Sequence, residues 1–191
     1  MPEKSQPLRV LVANERQDRL AAVAATITEL GYEVIAPQIE VTEVGAVTAR
    51  EQPDIAFVGL GESSDHALEM IERIVHEATC PVIVLLHEPD LDFVTEAARR
   101  GVFAHITDGD PLSWQTSIRI ALHRFAQLQD LEGAFRSRTI IERAKGILME
   151  RHTLSELTAA GRLRELAERT KRTLAEAAQG VVDGSLRQDN V

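Results

Sequence analysis

The residues best equipped for chemistry in this chain are cations set at helical spacing in its last third. Arg138 and Lys145 lie seven apart, as do Arg164 and Lys171, and Arg162 and Arg169. Seven residues make about two turns of α-helix, so each pair shares a face. Cations outside an apolar stripe can neutralise phosphates, and arginine can also hydrogen-bond to or stack on exposed bases. The charge distribution is compatible with such a partner. Residues 1–135 hold 10 Lys and Arg against 22 Asp and Glu, whereas residues 136–191 hold 11 against 8. That excess is small, so it permits a nucleic-acid partner without requiring one.

No catalytic or metal-binding set competes with these cations. His66, His76, His87, His105, His123 and His152 are scattered without the paired spacing of metal ligands. Gly59–Gly61 lacks the third glycine of a dinucleotide fingerprint and reads as a turn. Ser63 and Ser64 stand at a helix start, where capping suits them better than nucleophilic attack. The expectation is therefore no enzyme, no cofactor and no metal. The single Cys80 excludes an intrachain disulfide and fits a reducing compartment. The opening MPEKSQP has no apolar core of a signal peptide, and no apolar run approaches the ~18 residues of a membrane span. A cytoplasmic protein with no membrane partner is expected.

These cations need elements to carry them. Between residues 8 and 130 strand-like and helix-like segments alternate. The expected strands are Leu8–Ala13, Tyr32–Ala36, Pro53–Gly59, Cys80–Leu86 and Val102–Ile106. The expected helices are Arg16–Leu30, Val41–Glu51, Asp65–Glu77 and Leu91–Arg100, with a long helix from about Pro111. Five such units predict an α/β fold, a five-stranded parallel sheet with helices on both faces. From Leu112 to Phe135 the apolar residues Ile118, Ala121, Phe125, Leu128, Leu131 and Phe135 recur at spacings of three and four. This connector, residues 112–135, covers the sheet and has apolar surface left to pair with a second copy, and Gly133 is a candidate hinge.

Three short helices follow and predict a small bundle. In the first, Arg136–Arg151, the residues Ile140, Ile141, Ala144, Ile147 and Leu148 share one side while Arg138 and Lys145 share another. The second starts after Ser155, a good N-cap, and buries Ala159, Ala160, Leu163, Leu166 and Ala167. The third opens on Thr173 and Glu176, which have capping-box spacing, with Leu174, Ala178, Val181 and Val182 inward. Residues 184–191 read as a polar tail.

The first part, residues 8–125, resembles the flavodoxin-like receiver domain of bacterial response regulators. The resemblance implies an acidic pair after strand one, a phosphoacceptor aspartate after strand three, a hydroxyl after strand four and a lysine after strand five. This chain has Ala13 and Asn14, Gly59, Leu86 and Asp108 at those positions, with Glu15 as the neighbouring acid. Magnesium needs oxygen ligands and phosphoryl transfer needs a nucleophile. A receiver that is not phosphorylated is therefore expected, kept for dimerisation or for binding a regulatory protein partner.

The stretch AKGILMER, Ala144–Arg151, followed by Ser155–Glu156, Leu163–Leu166 and a third helix, resembles the ANTAR domain over residues 136–183. The resemblance implies an RNA-binding transcription antiterminator that engages paired stem-loops in leader RNA. It makes Lys145, Arg138 and Arg151 the first candidates for RNA contact, and Arg143, Arg164 and Lys171 the second. Gly146, with no side chain, would allow close approach by RNA or a helix. Two departures stand out, Ala160 where an aromatic is usual and Thr153 where a glycine is usual. Three rivals remain. One is a scaffold that uses the receiver-like part and has lost RNA binding. Another is a DNA-binding regulator, disfavoured because no basic residue lies between Thr173 and Val182. The last is an enzyme on the same fold, for which no catalytic constellation exists.

Overall fold

The computed structural model describes residues 7–35, 39–61, 65–86, 90–107 and 111–186. Ser63, Ser64, His87 and Asp108 lie outside the described residues, as does the last part of the expected tail. Two compact units divide the chain, Met1–Gln127 and Leu128–Val191.

The first unit is built on strands β1 (Arg9–Asn14), β2 (Glu33–Ile35), β3 (Ile55–Gly59), β4 (Val82–Leu86) and β5 (Ala104–Thr107). All pairings are parallel, in the order β2-β1-β3-β4-β5. β3 is buried at every position, as a strand covered on both faces must be. Alternation then divides the core. Leu11, Ala13, Ala56, Val58 and Val84 pack under α2 (Val44–Glu51), α3 (Asp65–Glu77) and α4 (Leu91–Arg99). Val10, Val12, Ile55, Phe57 and Ile83 pack under α1 (Gln17–Glu29) and the start of α5 (Pro111–His152). On that side Trp114 stacks on Phe57 at 5.4 Å between ring centroids, and Phe103 meets Phe125 edge-on. Cys80 is buried, and burial pushes its thiol up to about 12.

The predicted fold is present, with three differences in detail. Val41–Glu43 is a 3-10 turn before α2, closed by a capping box between Glu40 and Glu43. β1 is displaced by one residue, and β2 to β5 are shorter than their apolar runs, because the ladder begins only where a neighbouring strand supplies partners; β4 starts at Val82, beyond Pro81, which has no N–H to donate. The connector and the first bundle helix, expected as 112–135 and Arg136–Arg151, are one helix, and α5 continues through Gly133 for 42 residues. A helix-interior glycine lowers propensity by about 1 kcal/mol, which continuous hydrogen bonds on either side outweigh.

In the second unit the last part of α5 packs with α6 (Glu156–Thr170) and α7 (Leu174–Val182). Ser155 caps α6 by accepting from the Thr158 N–H at 3.2 Å. Thr173 and Glu176 form the expected capping box on α7, at 2.8 and 3.2 Å. The core is thin and alanine-rich, with Ala144, Leu148, Ala159, Leu163, Leu166, Ala167, Ala177, Ala178 and Val181. Ala160 is only half-buried, and Leu186 packs against Gly180. The core thus extends into the segment expected to be a polar tail.

Candidate nucleic-acid interface

The second unit presents cations of two kinds. Arg138, Arg143, Arg151, Arg164 and Lys171 are exposed, and none makes an ion pair with a described residue. Lys145 differs. Its ammonium lies 2.9 Å from Glu142 and 2.7 Å from Glu156, and its side chain is only 12% exposed. Those two carboxylates, Glu142 first, raise its pKa above the usual lysine range, and Lys145 in turn holds Glu156 below the usual carboxylate range. Glu142 is one turn away on the same helix, whereas Glu156 is in the first turn of α6. The first-choice cation thus ties two helices together and is not a bare charge awaiting a phosphate.

Between those helices the chain turns at Thr153, whose φ of 52° is left-handed. A β-branched residue is strained there, where glycine is not. The position at which a glycine was expected is therefore one whose backbone favours glycine. Lys171 ends α6 in the same conformation. Gly146 is exposed, and a methyl group added to it would meet nothing within 4 Å. Packing inside the unit does not demand a glycine there, so its small size leaves room for something outside the chain.

The apolar face of α5 also changes character along its length. Ile118 and Ala121 are buried in the first unit. In the second, Leu131 and Phe135 are 69% and 72% exposed, with Leu128 partly so. Sequence periodicity marked all of these as one stripe; only packing separates the covered from the bare.

At the carboxyl end of the sheet, Ala13, Asn14, Gly59 and Leu86 stand at strand ends where the receiver resemblance placed reactive groups. Asn14 pairs in register with Gly59, and the Glu15 N–H donates to the Gly59 carbonyl at 3.0 Å. The Asn14 side chain accepts from the Arg16 N–H at 2.9 Å and lies over Gly59. A Cβ on Gly59 would come 2.6 Å from Asn14 Cγ, so the volume of a side chain at 59 is taken. The edge opens on a cavity of about 190 Å³ bordered by Asn14, Asp18, Arg19, Gly59, Leu86 and Trp114. Arg16 holds the Asp18 carboxyl below its usual range. A hard divalent cation needs several oxygen ligands. Ala13 supplies none from its side chain, and the Asn14 oxygen is already engaged, so these residues do not fit the receiver magnesium. Among the described residues no three His, Cys, Asp or Glu side chains gather as a ligand set, and no helix is long and apolar enough to cross a membrane.

The sheet order, the helices on both faces and the position of this edge define a receiver fold. Solved structures agree at the level of fold. A response regulator receiver domain protein from Clostridium thermocellum aligns at TM-score 0.51 and 20% identity, over 63% of this chain and 98% of that one. A LuxR-family two-component response regulator from Aurantimonas aligns at 0.53 and 17%, over 62% and 86%. Beyond the receiver fold, residues 129–182 match the family model of the ANTAR domain, which includes all seven candidate contact residues. The chain is also 24% identical over 185 residues to the transcriptional regulatory protein PdtaR of Mycobacterium tuberculosis, covering 93% of this chain and 90% of the relative. A receiver fold is thus followed by a C-terminal segment that matches the ANTAR domain, in a chain similar over most of its length to a transcriptional regulatory protein.

Proposed function

We propose that this protein is a transcription antiterminator whose ANTAR end binds paired stem-loops in leader RNA. The observation that carries the reading is the coincidence of the ANTAR match with five exposed cations that make no ion pair with a described residue: Arg138, Arg143, Arg151, Arg164 and Lys171. Phosphate neutralisation by such groups makes binding fall steeply with salt. Lys145 serves in this reading as the tie that sets the angle between α5 and α6, with direct contact left to the other cations. The bare stripe of Leu128, Leu131 and Phe135 supports pairing with a second copy, which would present two RNA surfaces to two loops. The receiver-like front acts without phosphorylation, because Gly59 offers no nucleophile and Asn14 occupies the space above it.

The test is a titration of the full-length protein with an RNA of two short stem-loops, against scrambled RNA and duplex DNA, at two salt concentrations. Preferential, salt-sensitive binding to the hairpins is expected. Arg138→Ala with Arg151→Ala should weaken it at least tenfold and lower the salt slope by about 1.4. No binding at low salt would leave the scaffold reading in its place, and equal binding to all three nucleic acids would remove the stem-loop preference.

A further inference from the structure

Two residues of α6 contribute little to its packing. Leu157, in the first turn, is 82% exposed. One turn on, Gly161 sits in the helix interior although a methyl group there would meet nothing within 4 Å. An exposed leucine gains nothing from burial, and a glycine weakens the helix without relieving any contact. Both lie on one face with Arg164, at spacings of four and seven residues from Leu157. Arg164 is exposed and makes no ion pair with a described residue.

We propose that Leu157, Gly161 and Arg164 form a ledge for an unpaired base of the bound RNA loop. The inference rests on the RNA-binding reading above and names the contact that would give it base dependence. Leu157 and the bare backbone at Gly161 offer an apolar, flat surface to the face of a base, and the Arg164 guanidinium stacks on it or bonds to its edge. Glu168 continues the same face and carries a negative charge, so phosphates are kept to its margins while a base amino group can donate to the carboxylate. The first turn is held in place for this purpose, because Glu156, beside Leu157, is tied to Lys145 at 2.7 Å. One leucine beside one glycine matches the footprint of a base. A stable protein interface is far larger, at about 800 Å² per partner.

The experiment compares an RNA of two short stem-loops with the same RNA carrying abasic residues in the loops. Full-length wild type should bind the intact loops about tenfold tighter than the abasic ones. Leu157→Ala and Gly161→Gln should each lose most of that difference with the salt slope unchanged, since neither alters a cation. Circular dichroism and thermal unfolding establish that both variants fold, and Gly161→Gln should unfold no earlier than wild type. Wild-type affinity and preference in both folded variants would overturn the ledge and leave the RNA reading standing. A change in sedimentation without a change in RNA affinity would also overturn it, making Leu157 a protein contact. Failure of wild type to bind either RNA would overturn both readings together.

Discussion

The carboxyl edge of the sheet and the corner between α5 and α6 differ in the charged groups they hold. At the sheet edge the register of Asn14 and Gly59 is intact while the reactive side chains are gone. At the helical corner the charged side chains remain, yet Lys145 is spent on Glu142 and Glu156. The sheet edge can change its polar residues because burial on two faces fixes its backbone. Val10, Leu11, Ile55 and Phe57 are fully buried, and none is at the edge. The bundle has no such reserve. Its core is mostly alanine, so a surface ion pair and a few leucines hold the geometry its function would need.

The cores offer the largest effect by which this contrast can be broken. Leu163→Ala should destabilise the second unit by about 3 kcal/mol. A unit of that size has on the order of 3–8 kcal/mol to lose, so its helical signal should melt far earlier in a thermal scan followed by circular dichroism. Retention of the wild-type transition would show a bundle better packed than its alanines suggest.

Gly59→Asp comes next. The new side chain must displace the Asn14 amide and its bond from the Arg16 N–H, a rearrangement of about 2 kcal/mol. Incubation with a small-molecule phosphodonor and magnesium should leave its mass unchanged in mass spectrometry. A phosphorylated product would show that the edge retains more chemistry than its residues allow.

Thr153→Gly should act in the opposite direction, stabilising the bundle by about 1 kcal/mol through release of the left-handed strain, and raising its melting temperature. An unchanged temperature would mean that the turn is held by contacts of threonine that glycine lacks.

The smallest effect concerns the ion pair itself. Glu156 and Glu176 are both held below the reference carboxyl value of 4.5, by Lys145 and by the Thr173 N–H respectively. A lowered folded value means stability present above that reference and lost as pH falls through the folded values. Unfolding measured from about pH 6 to pH 3 should therefore show the bundle weakening on the acid side. Glu156→Gln should flatten part of that dependence while leaving stability at neutral pH little changed, since the Glu156 carboxylate is exposed to solvent.

What sequence could show follows from the range of each interaction. α3 is found at its expected bounds, and α6 and α7 start at their expected caps, because periodicity and capping are local. The parallel sheet follows from repeated strand–helix units, whereas the start of β4 at Val82 depends on pairing with a distant strand. The cations were legible as residues, and the pair of Lys145 with Glu142 follows from a spacing of three. Its pair with Glu156 was hidden, because eleven residues and the turn at Thr153 lie between them. Leu157 was missed for a related reason. It belongs to no apolar stripe, and only exposure marks it as unusual.

The stack of Trp114 on Phe57 has a practical consequence. Trp114 is the chain's one tryptophan and Tyr32 its one tyrosine, and both belong to the first unit. Indole emission and tyrosine absorbance therefore report on the sheet alone, whereas amide absorption counts every helix. Denaturation followed by both signals separates the two units spectroscopically, with no need to cut the chain between them.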